Sequence, residues 1–166
     1  MDLYNAIAQS CDIYFYEVAL KTGIDAIASM AHRLGLGQKY EFEIPGEKKG
    51  LIPTRTWKKN SKGSRWQKGE TLLAGIGQGF ILTTPLQLVV IVSRLVNGGR
   101  LVTPSMTRQV VKFEDNSNKI LNQRLFEKVG INPSHLKLIN KAMAAVTNAP
   151  GGTAYKARIL EPGFSM

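Results

Sequence analysis

The chain has 166 residues, 43% of them hydrophobic, enough for one domain with a core and too apolar for wholesale disorder. No apolar run approaches the roughly 20 residues that cross a bilayer. Met1-Asp2-Leu3-Tyr4-Asn5 lacks the basic-then-apolar order of a secretion signal, as expected of a cytosolic protein or of a piece of something longer. The net charge of +10, from 22 basic and 12 acidic residues, favours anionic partners over cationic ones.

Residues 2–9 predict a short apolar-rich helix. Ser10-Cys11-Asp12 interrupts it with three weak helix formers, two of which compete for backbone hydrogen bonds. Asp12 suits the N-cap of a second helix, Ile13 to Lys21, and Gly23 the position just past its end. A third helix runs from about Asp25 to Leu34, with Ile27, Met30, Ala31 and Leu34 on one face, and Gly35 and Gly37 stop it. Residues 38–83 are polar, basic and turn-rich, marked by Pro45-Gly46, Pro53 and Gly63. A stretch this long without regular pattern is functional or packs on other structure.

Between Glu47 and Glu70 lie Lys48, Lys49, Arg55, Lys58, Lys59, Lys62, Arg65 and Lys68, which in the simplest reading form a solvated face. Trp57 and Trp66 accompany them, but no nucleic-acid recognition pattern does, so nucleic acid is not an expected partner. The clearest helix is Pro85 to Val96: Thr84 caps it, Pro85 takes the first helical position, and Gln87 completes a capping box. Asn97-Gly98-Gly99 ends it. Residues 101–112 and 118–121, split by Glu114-Asp115-Asn116-Ser117, predict a β-hairpin. A last helix starts at Ser134, presents Leu136, Ile139, Met143 and Val146, and ends before Pro150-Gly151-Gly152.

Three short patterns carry candidate chemistry: Ser10-Cys11-Asp12, Lys21-Thr22-Gly23 and Ser134-His135-Leu136-Lys137. They match the S-x-[ND], K-[ST]-G and S-x-x-K signatures of penicillin-interactive serine enzymes, but in the wrong chain order. Ser134 follows Asn132-Pro133 and reads as an N-cap. Lys21-Thr22-Gly23 closes a helix, where the dipole favours a cation, whereas the working signature lies on a strand. Ser10-Cys11-Asp12 sits between two apolar helices, so its side chains can project from a turn into a cleft. Gly75-Ile76-Gly77-Gln78-Gly79 is no phosphate loop, since no G-K-[ST] follows.

The segment Ala8 to Tyr16 resembles the second-motif region of class B penicillin-binding proteins of the penicillin-binding protein 2 type. The resemblance continues in order through Leu34-Gly35-Leu36-Gly37, Pro53-Thr54-Arg55-Thr56-Trp57, Trp66-Gln67-Lys68-Gly69-Glu70-Thr71, Gly75 to Gly79, Thr84-Pro85-Leu86-Gln87 and Gly151-Gly152-Thr153-Ala154. It implies a mainly α chain with a small β-hairpin: the helical subdomain of the α/β transpeptidase fold, residues 1–166 being a partial domain with most of the sheet missing. It implies a serine-type peptidoglycan D,D-transpeptidase that binds stem peptides and β-lactams, works with the cell-elongation machinery and faces the periplasm from the inner membrane.

Ser10 would be the second-motif serine, whose hydroxyl both donates and accepts and so suits proton relay. Asp12 would stand where many relatives have Asn. Trp66, Gly77 and Gln78 would bind substrate. Some relatives hold zinc through the residue matching Cys11, together with Asp and His residues from upstream; no cofactor is expected of this chain itself. The nucleophilic serine would precede Met1 and the K-[ST]-G strand follow Met166, so the 166 residues alone are expected to be inactive. An apolar face is expected where the sheet would dock, open to dimerisation. The rival readings are a noncatalytic basic module that binds an anionic polymer, and a β-lactam sensor or serine β-lactamase of the same fold. Tyr14-Phe15-Tyr16 and Pro53-Thr54-Arg55 favour the transpeptidase.

Overall fold

A computed structural model describes residues 1–41, 45–105 and 127–160, and these are helical. In chain order the helices are α1 (Leu3–Ala8), α2 (Asp12–Thr22), α3 (Ile24–Leu34), α4 (Arg55–Lys62), α5 (Lys68–Gly75), α6 (Pro85–Val96) and α7 (Pro133–Asn148), followed by a 3-10 turn, Tyr155–Ala157. Among the described residues there is no strand. The extended pairings are isolated bridges, Leu51 with Leu82 and Arg100 with Lys128. The hairpin expected over 101–112 and 118–121 is not supported: residues 101–105 form no strand, and the rest of it lies outside the described residues.

Small side chains set the packing. Ala6 and Ala8 of α1, and Ala142 and Ala145 of α7, are all buried, and these two helices lie against each other. Ala19 of α2 and Ala74 of α5 are buried in the same way. A Cβ on Gly75 would stand 2.5 Å from Ala19 Cβ and 3.1 Å from the Phe15 carbonyl oxygen, so α5 crosses α2 at a distance only glycine allows. Helix α3 contacts α2, α5 and α6, and α6 leans on α7.

Local signals fix most boundaries. The Asp2 carboxylate accepts the Asn5 N–H at 2.8 Å and starts α1. The Thr84 hydroxyl accepts the Gln87 N–H while the Gln87 amide oxygen accepts the Thr84 N–H, the reciprocal box expected for α6. Gln87 is 1% exposed, and its Nε2 donates to the Gln38 and Lys49 carbonyls, so a buried amide pins the basic segment to α6.

Three expectations are corrected. Asp12 is not the cap of α2 but its first residue; Cys11 occupies the N-cap position with no side-chain bond, and the carboxylate instead faces the positive end of the helix dipole. Ser134 is not the cap of α7; Asn132 is, accepting from both the backbone N–H and the hydroxyl of Ser134. The polar stretch 38–83 contains two helices, α4 and α5. The shared face of Ile27, Met30, Ala31 and Leu34 is left uncovered: Ile24 and Ala28 of α3 are buried, whereas those four line an open apolar cleft with Val18 and Ile91.

Candidate functional site

Ser10 sits in the turn between α1 and α2 in a left-handed conformation, φ +50°. Non-glycine residues adopt this region uncommonly, and a cluster of bonds holds this one there. The Ser10 N–H donates to the Ile7 carbonyl and the Cys11 N–H to the Ala6 carbonyl, closing the end of α1. The exposed Ser10 hydroxyl pairs with the Thr153 hydroxyl at 3.2 Å, across 143 residues of sequence. The Thr153 N–H donates to the Ala8 carbonyl at 3.1 Å, so the Gly151-Gly152-Thr153 turn is clamped to the α1–α2 turn by main chain and side chain together.

Glycine makes that clamp possible. A Cβ on Gly152 would stand 2.3 Å from the carbonyl oxygens of both Ala145 and Val146, inside the last turn of α7. The turn thus folds back tightly over the C-terminal end of α7 and delivers Thr153 to Ser10. Asp12, two residues after Ser10 in the chain, is exposed. The paired hydroxyls of Ser10 and Thr153 can accept, donate and pass a proton.

The other expected binding residues belong to the two ends of α5. Trp66 precedes α5, and its indole N–H donates to the Thr71 hydroxyl at 2.8 Å. It belongs to an aromatic cluster in which Phe80 meets Trp57 at 5.3 Å and Trp66 at 6.4 Å between ring centroids. Lys58 of α4 is buried against this cluster, its ammonium 6.0 Å from the Trp66 ring and paired with Glu70. Burial pushes the Glu70 carboxyl up, but bonds from Lys58 and from the Gln67 N–H outweigh it and hold the group below the usual glutamate range. Gly77 and Gln78 form the exposed turn after α5, where Gly77 has φ +75° and the Gln78 N–H donates to the Leu73 carbonyl. Among the described residues no hydrogen bond joins Ser10 or Asp12 to Trp66, Gly77 or Gln78.

The remaining patterns resolve as structure. Lys21 lies in the last turn of α2. Ser134 gives its hydroxyl to Asn132, and no bond links it to Lys137 among the described residues. Cys11 is a half-buried free thiol. Among the described residues no group of three His, Cys, Asp or Glu side chains gathers around it or elsewhere, so the donors described do not make a zinc site. Sequence reasoning missed Thr153 as a site residue, although it stands in the quoted Gly-Gly-Thr-Ala segment. The Lys58–Glu70 pair was missed too; spacing across two helices carries no local signal for it.

The penicillin binding protein transpeptidase domain family matches residues 1–165. The peptidoglycan D,D-transpeptidase MrdA of Salmonella typhimurium is 32% identical over 160 residues, which are 94% of this chain and 25% of that protein. MrdA of Acinetobacter baumannii is 40% identical over 108 residues, 65% of this chain and 16% of its own length. Among solved structures, PBP2 of Pseudomonas aeruginosa in complex with WCK 5153 superposes with a TM-score of 0.80 at 33% identity, covering 94% of this chain and 34% of that one. The complex of PBP2 and MreC from Helicobacter pylori gives 0.78 at 30% identity, covering 98% and 28%. The chain therefore spans about a quarter of the length of the curated relatives it matches.

Proposed function

The chain belongs to the penicillin-binding protein transpeptidase family, and from that premise we propose that its 166 residues are the helical part of a peptidoglycan D,D-transpeptidase domain of the penicillin-binding protein 2 type. The observation that carries the reading is the Ser10–Thr153 clamp, which holds an exposed serine in a left-handed turn between α1 and α2.

In this reading a serine on another stretch of polypeptide attacks the carbonyl of a D-alanyl-D-alanine peptide. Its Oγ–C bond forms, the peptide C–N bond breaks, and the departing amine takes up a proton. Ser10 passes that proton, and Asp12 adds an exposed carboxylate at the start of α2. The amine of a second peptide then attacks the ester and restores the serine. β-Lactams acylate the same serine. The elongation machinery is the proposed partner, supported by the MreC complex of the Helicobacter pylori relative. The proposed enzyme faces the periplasm from the inner membrane; no helix among the described residues is itself long and apolar enough to cross one.

Exposed apolar surface supports a partner element. Leu88, Val92 and Val96 fall one turn apart on α6, with Val89 beside them, and all four are exposed. An apolar cleft of about 660 Å³ between α2, α3 and α6 adds to this surface. A sheet docked on these faces would bury them.

The test uses two molecules. The 166-residue chain incubated with a fluorescent penicillin is expected to take no covalent label; label on Ser134 would overturn the reading. A chimera in which these residues replace the matching stretch of Pseudomonas aeruginosa PBP2 is expected to be labelled. Ser10→Ala in that chimera should slow acylation by about 10²- to 10⁴-fold, the usual contribution of a positioned proton-transfer group. A folded chimera that takes no label, or a Ser10→Ala rate equal to its parent, would reject the role given to Ser10.

A further inference from the structure

The cations of α4 and its flank form a cleft that the chemistry at Ser10 does not use. Arg55, Lys59, Arg65, Lys68, Trp66 and Thr71 enclose about 450 Å³, within the range of small-ligand sites. Their charges are mostly uncompensated. Arg55 meets Asp25 through Nε at 3.5 Å, leaving the rest of its fork open. Glu70, the nearest acid in sequence, is committed to Lys58 and to the Gln67 N–H. Among the described residues Lys59, Arg65 and Lys68 have no carboxylate within ion-pair distance. Trp66 supplies a wall held rigid by its bond to Thr71, whose own O–H remains a donor.

We propose that this cleft is a docking site for an acidic glycan, a sugar chain bearing carboxylate or phosphate groups. Oxyanions meet the cationic rim, and the C–H face of a sugar lies on the indole wall. An anionic lipid surface fits less well. Interfacial helices insert exposed apolar residues beside their cations, whereas no large apolar side chain is exposed between Met30 and Leu73 among the described residues. Single-stranded nucleic acid stacks successive bases on a series of rings; here Trp66 alone of the two indoles lines the cleft. The inference goes beyond the transpeptidase reading and rests on the cleft alone, so the binding is measured independently of catalysis.

The experiment is a fluorescence-anisotropy titration of the 166-residue chain against a fluorescein-labelled oligogalacturonate, with a neutral cello-oligosaccharide and phosphatidylglycerol vesicles as comparison ligands. Arg65→Glu/Lys68→Glu should weaken oligogalacturonate binding at least about tenfold. Lys48→Glu/Lys49→Glu makes the same change in net charge outside the cleft and should alter it less than about threefold. Both variants are checked for unchanged melting. Equal losses in the two variants, absence of binding, or preference for the vesicles would overturn the proposal. If binding fails while the chimera is labelled by penicillin, the cleft assignment alone falls. If the cleft binds and the folded chimera is not labelled, the transpeptidase reading falls and the cleft stands.

Discussion

Glu70→Gln is expected to destabilise the fold by about 3–5 kcal/mol, a melting-temperature drop of roughly 10 °C for a chain of this size. Lys58 is 7% exposed, with its stem laid against Trp66 and Phe80 and its ammonium paired to the Glu70 carboxylate. Glutamine still offers an oxygen to the Gln67 N–H, which Glu70 now accepts at 2.7 Å, so the start of α5 survives. What is lost is the counter-charge. An ammonium left in that surrounding must be desolvated unpaired, and the attraction of two rings does not replace a carboxylate.

Two comparisons isolate the cause. Lys58→Met keeps the packing on the rings and leaves a Glu70 side chain that is 21% exposed and within reach of water, so its cost should be smaller, about 1 kcal/mol. The double variant Lys58→Met/Glu70→Gln should lie within about 1 kcal/mol of the parent, because an apolar replacement of a buried pair is close to neutral. Denaturant melts of the three variants decide it; a Glu70→Gln cost below about 1 kcal/mol would show that the ammonium keeps its water. The same pair sets an acid limb. Glu70 titrates lower in the folded chain than in the unfolded one. Its stabilisation is therefore complete above the ordinary glutamate pKa of about 4.3 and is lost as pH falls through the lower folded value. Glu70→Gln should flatten that limb.

The sequence disclosed elements wherever the signal was local. Thr84, Pro85 and Gln87 announce the start of α6 within four positions, and α2 and α3 begin within one residue of expectation. Helix α4 was hidden because Arg-Thr-Trp-Lys-Lys-Asn-Ser-Lys offers a single apolar side chain; a Thr54 cap, the burial of Lys58 and the packing of half-buried Trp57 on Phe80 hold it. Helix α5 is bracketed by Gly69 and Gly75, which argue against a helix until the close crossing with α2 is known. The shared face of Ile27, Met30, Ala31 and Leu34 was legible, but periodicity shows which side is apolar, not whether anything covers it. At the site, the weak helix formers at 10–12 marked the turn. The partner hydroxyl of Ser10 lies 143 residues away, beyond any pattern within the segment.

That long-range contact makes Gly152→Ala the second large effect. The added methyl would sit 2.3 Å from two main-chain oxygens, Ala145 O and Val146 O, and no side-chain rotation can relieve a backbone clash. The turn must lift away from α7. The bonds at risk are Gly152 N–H to the Ala149 carbonyl, Ala154 N–H to the Val146 carbonyl, and Thr153 N–H to the Ala8 carbonyl. A cost of about 2–3 kcal/mol is expected from overpacking and lost bonds. Gly151→Ala is the control: its Cβ would meet nothing within 4 Å, and the change should stay within about 0.5 kcal/mol.

In the chimera the two glycine variants also separate structure from chemistry. If Ser10 works only while Thr153 holds it, Gly152→Ala should lower penicillin acylation nearly as far as Ser10→Ala does. Thr153→Val, which removes the hydroxyl and keeps the shape, should then lower it as well. A Thr153→Val rate equal to the parent, beside a slow Ser10→Ala, would mean that the Ser10 hydroxyl acts without its partner and that the clamp merely shapes the rim.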